Sequence, residues 1–183
     1  FSARAAAPAR ASRGPGLVLR DHRLDVDLDQ QMLAIRRGAA LEFLTLISSG
    51  TPKHPTPLGI YRIESKWAYA DMRSRVGDEE EYFVEGVPWV QYFKGRYALH
   101  GTFWHNRFGR RTSHGCINLS AHDARWVYER TWPAPKAGWL VINEHAQEPG
   151  TLLRIRKGPQ EPPDRREALK TQRLTTPPVT KRR

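Results

Sequence analysis

The stretch HGTFWHNRFGRRTSHGCINLS, residues 100–120, holds three of the chain's seven histidines and its only cysteine. A purely structural cysteine sits among aliphatic side chains, where burial raises its pKa and leaves it inert. Cys116 instead follows Ser113, His114 and Gly115, four residues before a helix signal, so polar groups and backbone N–H donors can converge on it. A free thiol with a pKa of about 8.5 is only a few per cent ionised at pH 7, and a histidine partner raises that fraction greatly.

His100, His105 and His114 are the candidate bases. His114, two residues from Cys116, shares its face in an extended segment but is constrained in its approach. His100 is followed by Gly101, where the chain can turn, and nucleophile and base are neighbours in space rather than in order. The chemistry favours His100. Amid FWHN, His105 reads as an aromatic-packed or rim residue. Gly115 has no Cβ, which admits substrate to the sulfur and lets the N–H groups of residues 115 and 116 face an oxyanion, each such donor contributing about 3 to 4 kcal/mol. Zinc held by His100, His105, His114 and Cys116 is the chemical alternative, but no Cys-x-x-Cys or His-Glu-x-x-His spacing accompanies them.

Outward from this stretch, SAHDARWVYERT reads as one helix over about residues 120–131. Ser120 caps it, Asp123 lies in the first turn, and Ala124, Val127 and Tyr128 share a face. The other patterns are strands. RLDVDLDQQMLAIRR gives two strands around Asp29-Gln30-Gln31, and ALEFLTLISSG gives a third ending at Gly50. Three prolines precede a strand around Ile60 and Arg62. WVQYFKGRYALHG makes a strand pair, and GWLVINEH and TLLRIRKG complete the set. Residues 70–86 read as acidic and irregular. Many short strands with one helix predict a mostly β fold, a sandwich or barrel of mixed sheets.

The chain's 183 residues carry a net charge of +11, which invites a nucleic-acid reading. Its distribution argues against one: residues 17–150 hold 17 basic against 16 acidic side chains, and the excess sits in the ends. Residues 1–16 read as a disordered leader, 17–157 as the folded domain, and 158–183 as a basic, proline-rich tail suited to anionic envelope polymers, a membrane surface or plain solubility. One cysteine excludes a disulfide-stapled fold. The run SARAAAPARAS after Phe1 resembles a processed amino terminus, which by itself leaves the compartment open.

His100-Gly101-Thr102, followed by Ser113-His114-Gly115-Cys116-Ile117-Asn118, closely resembles the signature of the L,D-transpeptidase catalytic domain, the YkuD-type family of peptidoglycan enzymes. The segment SSGTPKHPTPLGIYRI resembles that family's Gly-containing strand before Thr-Pro-x-Gly. The resemblance implies a mixed-sheet β-sandwich or barrel. It implies that Cys116 attacks a stem-peptide donor, with His100 as base oriented through the carbonyl of Gly101. Ser113 and His114 would shape the site and Asn118 would brace its loop. The thioester would pass to a diaminopimelate amine as a 3→3 cross-link, with no cofactor; water as acceptor would instead make a carboxypeptidase, and another amine an anchoring enzyme. Trp89, Tyr92 and Phe93 are candidate substrate-groove aromatics, with core packing as their ordinary alternative. The acidic run Asp78 to Glu81 reads as a solvated loop, or else as a patch for a cationic amine. A rival of another class is a non-catalytic wall-binding module, in which the groove persists and the basic tail supplies adhesion. The intact Cys-His signature disfavours it.

Overall fold

A computed structural model describes residues 22–74, 77, 81–135, 138–144 and 149–158. The leader and, apart from Gly158, the tail lie outside the described residues, as do Asp78 to Glu80 of the acidic run.

The Leu24, Val26 alternation builds β1 (His22–Asp27), and Gln31, in the left-handed region at φ 53°, closes the turn into β2 (Met32–Arg37). β3 (Ala40–Leu46) pairs antiparallel with β2. After the proline-rich turn come β4 (Gly59–Arg62), β5 (Ser65–Arg73), β6 (Phe83–Lys94) and β7 (Tyr97–Thr102). β8 (Ile117–Ser120) leads directly into α1 (Ala121–Arg130), and β9 (Val141–Asn143) and β10 (Leu152–Arg156) complete the fold. The reading of residues 70–86 as irregular is corrected: β5 and β6 run into it from both sides, and Met72 pairs with Val84 across a bulge. Alternating small and apolar residues there outweigh the acidic composition.

The strands form two five-stranded sheets, in the orders β3-β2-β1-β10-β4 and β8-β7-β6-β5-β9. Each is mixed, with one parallel pair: β1 with β10, and β7 with β8. Leu24, Val26, Leu33, Ile35, Leu153 and Ile155 of the first sheet meet Phe93, Leu99, Ile117 and Leu119 of the second in one core, with Ala124 and Val127 of α1. The helix forms where its sequence directs: Ser120 Oγ accepts from the Asp123 N–H at 3.1 Å, and Ala124, Val127 and Tyr128 are its buried face. Phe43 of β3 stacks on Trp126 at 4.2 Å, tying the helix to the first sheet.

The C-terminal end of α1 is held by a buried lysine. Lys66 of β5 is fully buried; its Nζ donates to the carbonyls of Tyr128 and Thr131 and lies 4.3 Å over the Tyr128 ring. It thus satisfies carbonyls that the end of a helix leaves without partners. Burial lowers its pKa to about 7. The unfolded chain keeps this proton to about pH 10.4. Between these values the unfolded state binds more protons, so stability rises with pH. We expect the stability of the wild type relative to Lys66→Met to increase between pH 7 and pH 10, by at most about 1.4 kcal/mol per pH unit. Denaturant unfolding at several pH values checks this, and a flat difference refutes it.

Candidate active site

Parallel pairing of β7 with β8 sets Leu99 against Ile117, His100 against Asn118, and Gly101 against Leu119. Side chains alternate across a strand. Leu99, Ile117 and Leu119 therefore enter the main core, while His100 and Asn118 share the other face of the sheet. Continued back one pair, the alternation places Cys116 beside Ala98 on that same face, where both join a second apolar cluster with Val87 and Val90. Cys116 and His100 are thus diagonal neighbours on adjoining strands.

The loop entering β8 is gripped by residues 47–56. The N–H groups of Thr112 and Ser113 donate to Ser49 O at 2.9 and 3.0 Å, Thr51 N–H donates to Ser113 O at 3.0 Å, and Ser48 and Asn118 exchange backbone bonds of 2.9 Å. Gln31 holds Ser49 in turn, through a side-chain bond of 2.6 Å to its hydroxyl and one of 2.9 Å from its N–H. Thr56 Oγ1 donates to Gly115 O at 2.9 Å and accepts from Gly50 N–H at 2.9 Å. Gly50 is obligatory here, since a Cβ would fall 2.1 Å from His54 O and 2.9 Å from Gly115 Cα. Gly115 has φ +110°, and a Cβ on it would meet the Tyr97 ring at 2.6 Å.

Inside this frame Ser113 Oγ donates to Cys116 O at 2.6 Å and accepts from Gly115 N–H at 3.0 Å. The expectation that the Gly115 N–H faces an oxyanion is therefore corrected: that donor is engaged within the loop. His100 Nδ1 donates to Gly101 O at 3.1 Å, which leaves Nε2 as the unprotonated nitrogen of the neutral ring. His100 is only 3% exposed, and its ring stacks with Trp104 at 5.8 Å. Burial lowers its pKa to about 4, with His105 adding to the shift and the Gly101 carbonyl opposing it. Cys116 is half-buried and its thiol donates to Arg96 O at 3.7 Å. Desolvation raises its pKa, with the Ala98 backbone and the Arg96 charge pulling the other way. Thiol and imidazole are both neutral at rest.

His100, Cys116, Asn118, Ser113 and His114 line a cleft of about 300 Å³. The returning loop supplies Trp104, His105, Arg107 and Thr112, and the β5–β6 arm supplies Met72, Tyr82 and Val84. His114 lies between the rings of His54 and Tyr82, at 4.7 and 4.8 Å. Asn118 reaches sideways, its amide 3.0 Å from His105 Nε2. Among the described residues no three His, Cys, Asp or Glu side chains converge as metal ligands.

None of the candidate groove aromatics is part of the cleft lining. Tyr92 packs in the cluster that includes Cys116, and its pKa is raised by burial and by that thiol. Phe93 is 1% exposed in the main core, and Trp89 packs against that core 5.4 Å from the Tyr128 ring, so neither lines the cleft. Period-two alternation separates positions 92 and 93. Sequence reasoning missed Gln31, Ser49, Thr56 and Arg107. Thr56 had a signal, since it opens the Thr-Pro-x-Gly segment, and the others depend on long-range contacts.

The model of the L,D-transpeptidase catalytic domain, YkuD, matches residues 21–152. The chain belongs to this family. It is similar to "Putative L,D-transpeptidase YciB" of Bacillus subtilis, 29% identical over 124 residues, which cover 58% of this chain and 59% of that protein. The match thus spans about three fifths of the relative's length. A solved L,D-transpeptidase, LdtMt1, in complex with imipenem shares the fold with a TM-score of 0.61 at 19% identity, covering 74% of this chain and 59% of that one. An L,D-transpeptidase from Mycobacterium smegmatis gives 0.60 at 22%, covering 74% and 58%. The expected mostly β, mixed-sheet architecture, with one helix among the described residues, is the fold of this L,D-transpeptidase-family domain.

The neutral resting pair predicts how the thiol titrates. Alkylation of Cys116 by iodoacetamide should still climb with pH beyond the ordinary thiol range, because burial raises its pKa. A rate plateau between pH 5 and 8, the signature of a thiolate–imidazolium pair, would contradict this; stopped-time mass spectrometry reads it.

Proposed function

We propose that this domain is a cysteine acyltransferase acting on peptidoglycan stem peptides at the cell envelope, joining a donor to a diaminopimelate amine. The observation supporting the reading is the placement of His100 and Cys116 on one face of paired parallel strands, with His100 Nδ1 held by Gly101 and Nε2 left to accept a proton. The S–H bond swings from Arg96 O toward Nε2 as the sulfur attacks the donor carbonyl. The proton passes to His100 while the S–C bond forms, so no free thiolate is required at neutral pH. Collapse expels the terminal D-amino acid as His100 returns the proton to its amine, leaving a thioester. An acceptor amine then attacks the thioester and loses a proton to His100, and the thiol is re-formed. A base whose pKa is about 4 remains unprotonated at every pH where the thiol must be deprotonated.

Incubation with purified disaccharide-tetrapeptides followed by mass spectrometry tests the reading. A joined dimer is the expected product; trimmed tripeptide identifies water as the acceptor, and unchanged substrate mass sinks the enzyme reading. Cys116→Ala should abolish thioester formation, and His100→Ala should slow it about 10²- to 10⁴-fold. His114→Ala should retain measurable acylation, because His114 packs between two rings rather than against Gly101. Equal, total loss in both histidine variants would leave the base assignment without support. The imipenem complex of the structural relative extends to this chain as a further expectation: a carbapenem adduct on Cys116, read by intact mass.

A further inference from the structure

Among the described residues, the lining of the cleft contains no Asp or Glu and one permanently charged side chain, Arg107. Among the described residues its guanidinium has no carboxylate partner, and neither an ion pair nor a hydrogen bond holds that group. Several other arginines are paired: Arg23 and Arg154 bond Asp25, Arg111 bonds Asp29, and Arg125 bonds Glu129. The backbone of Arg107 is nevertheless fixed. Its N–H donates to His105 Nδ1 at 3.1 Å, and His105 Nε2 lies 3.0 Å from the amide of Asn118, two residues past Cys116. Burial and the Arg107 charge lower the pKa of His105. An exposed guanidinium in the same cleft lining as the thiol, carried on a held backbone and with no acid among the described lining residues, suits an anionic ligand whose carboxylate takes a planar fork of N–H donors.

We propose that Arg107 is the carboxylate-recognition residue of this cleft, pairing with the free terminal carboxylate of the donor peptide one amino acid beyond the bond that Cys116 attacks. The inference rests on the acyl-transfer reading above. In such a donor the carboxylate is carried by the leaving residue, about one Cα–Cα step of 3.8 Å past the scissile carbonyl, a span that an arginine side chain on the cleft wall can bracket. The contact selects peptides ending in a free acid over those ending in an amide or continuing as a longer chain.

The test compares a tetrapeptide stem with its C-terminal carboxamide, following thioester formation at Cys116 by intact mass. The wild type should acylate about 10- to 100-fold faster with the free acid, the span of one charge-assisted contact. Arg107→Ala should collapse that ratio toward one, and Arg107→Lys should restore part of it. A wild-type ratio near one, or a ratio unchanged in Arg107→Ala, overturns the proposal. Calorimetric binding of both peptides to Cys116→Ala protein reads the same contact without chemistry. Tighter binding of the free acid that Arg107→Ala removes supports the proposal even where the wild type forms no thioester, an outcome that fails the acyl-transfer reading alone. Equal binding of the two peptides overturns it.

Discussion

The parallel pairing of β7 with β8 is the constraint on which the site depends. A parallel pair cannot be closed by a tight turn; the chain must leave one end of the first strand and travel back to the start of the second. Here the return is made by residues 103–116 rather than by a helix, and it passes over the face that carries His100. The same loop therefore delivers Cys116 to its strand and builds the wall of Trp104, His105 and Arg107 above it. Backbone groups in so long a loop need partners, and residues 47–56 supply many of them, with Gln31 behind. The thiol's position is set by this hydrogen-bonded frame, two layers removed from the sulfur.

The electrostatics follow from where the strands put the pair. The site lies on the outer face of its sheet but beneath the loop and the β5–β6 arm, so His100 is nearly without solvent and Cys116 half so. Desolvation disfavours charge on both, lowering the histidine and raising the thiol. Such a pair avoids standing ionisation near neutral pH. Charge is placed instead at the edges of the cleft, with Arg96 near the sulfur and Arg107 on the wall.

Much of this was legible in local pattern. The helix from Ser120 announced its cap and its buried face, because capping and a 3.6-residue repeat are short-range properties. The strands around Leu24, Val26, Met32 and Ile155 followed from alternation. Residues 64–73 did not declare themselves: Lys66, Ala68 and Ala70 face inward, and a lysine at a core position breaks the apolar signal. Lys66 is acceptable there only because the end of α1 supplies carbonyl acceptors from 62 and 65 residues away.

By itself the sequence determined the fold class, the single thiol and the three histidines near it in the chain, since residue type and short spacing are local properties. Tertiary structure decided which histidine shares the sulfur's face, that the Gly115 N–H is occupied by Ser113, and that Tyr92 packs in the cluster with Cys116 while Phe93 enters the main core. Those outcomes depend on strand register and on hydrogen bonds between segments tens of residues apart. A one-residue shift in the β7–β8 register would leave every local preference satisfied and turn His100 away from the thiol.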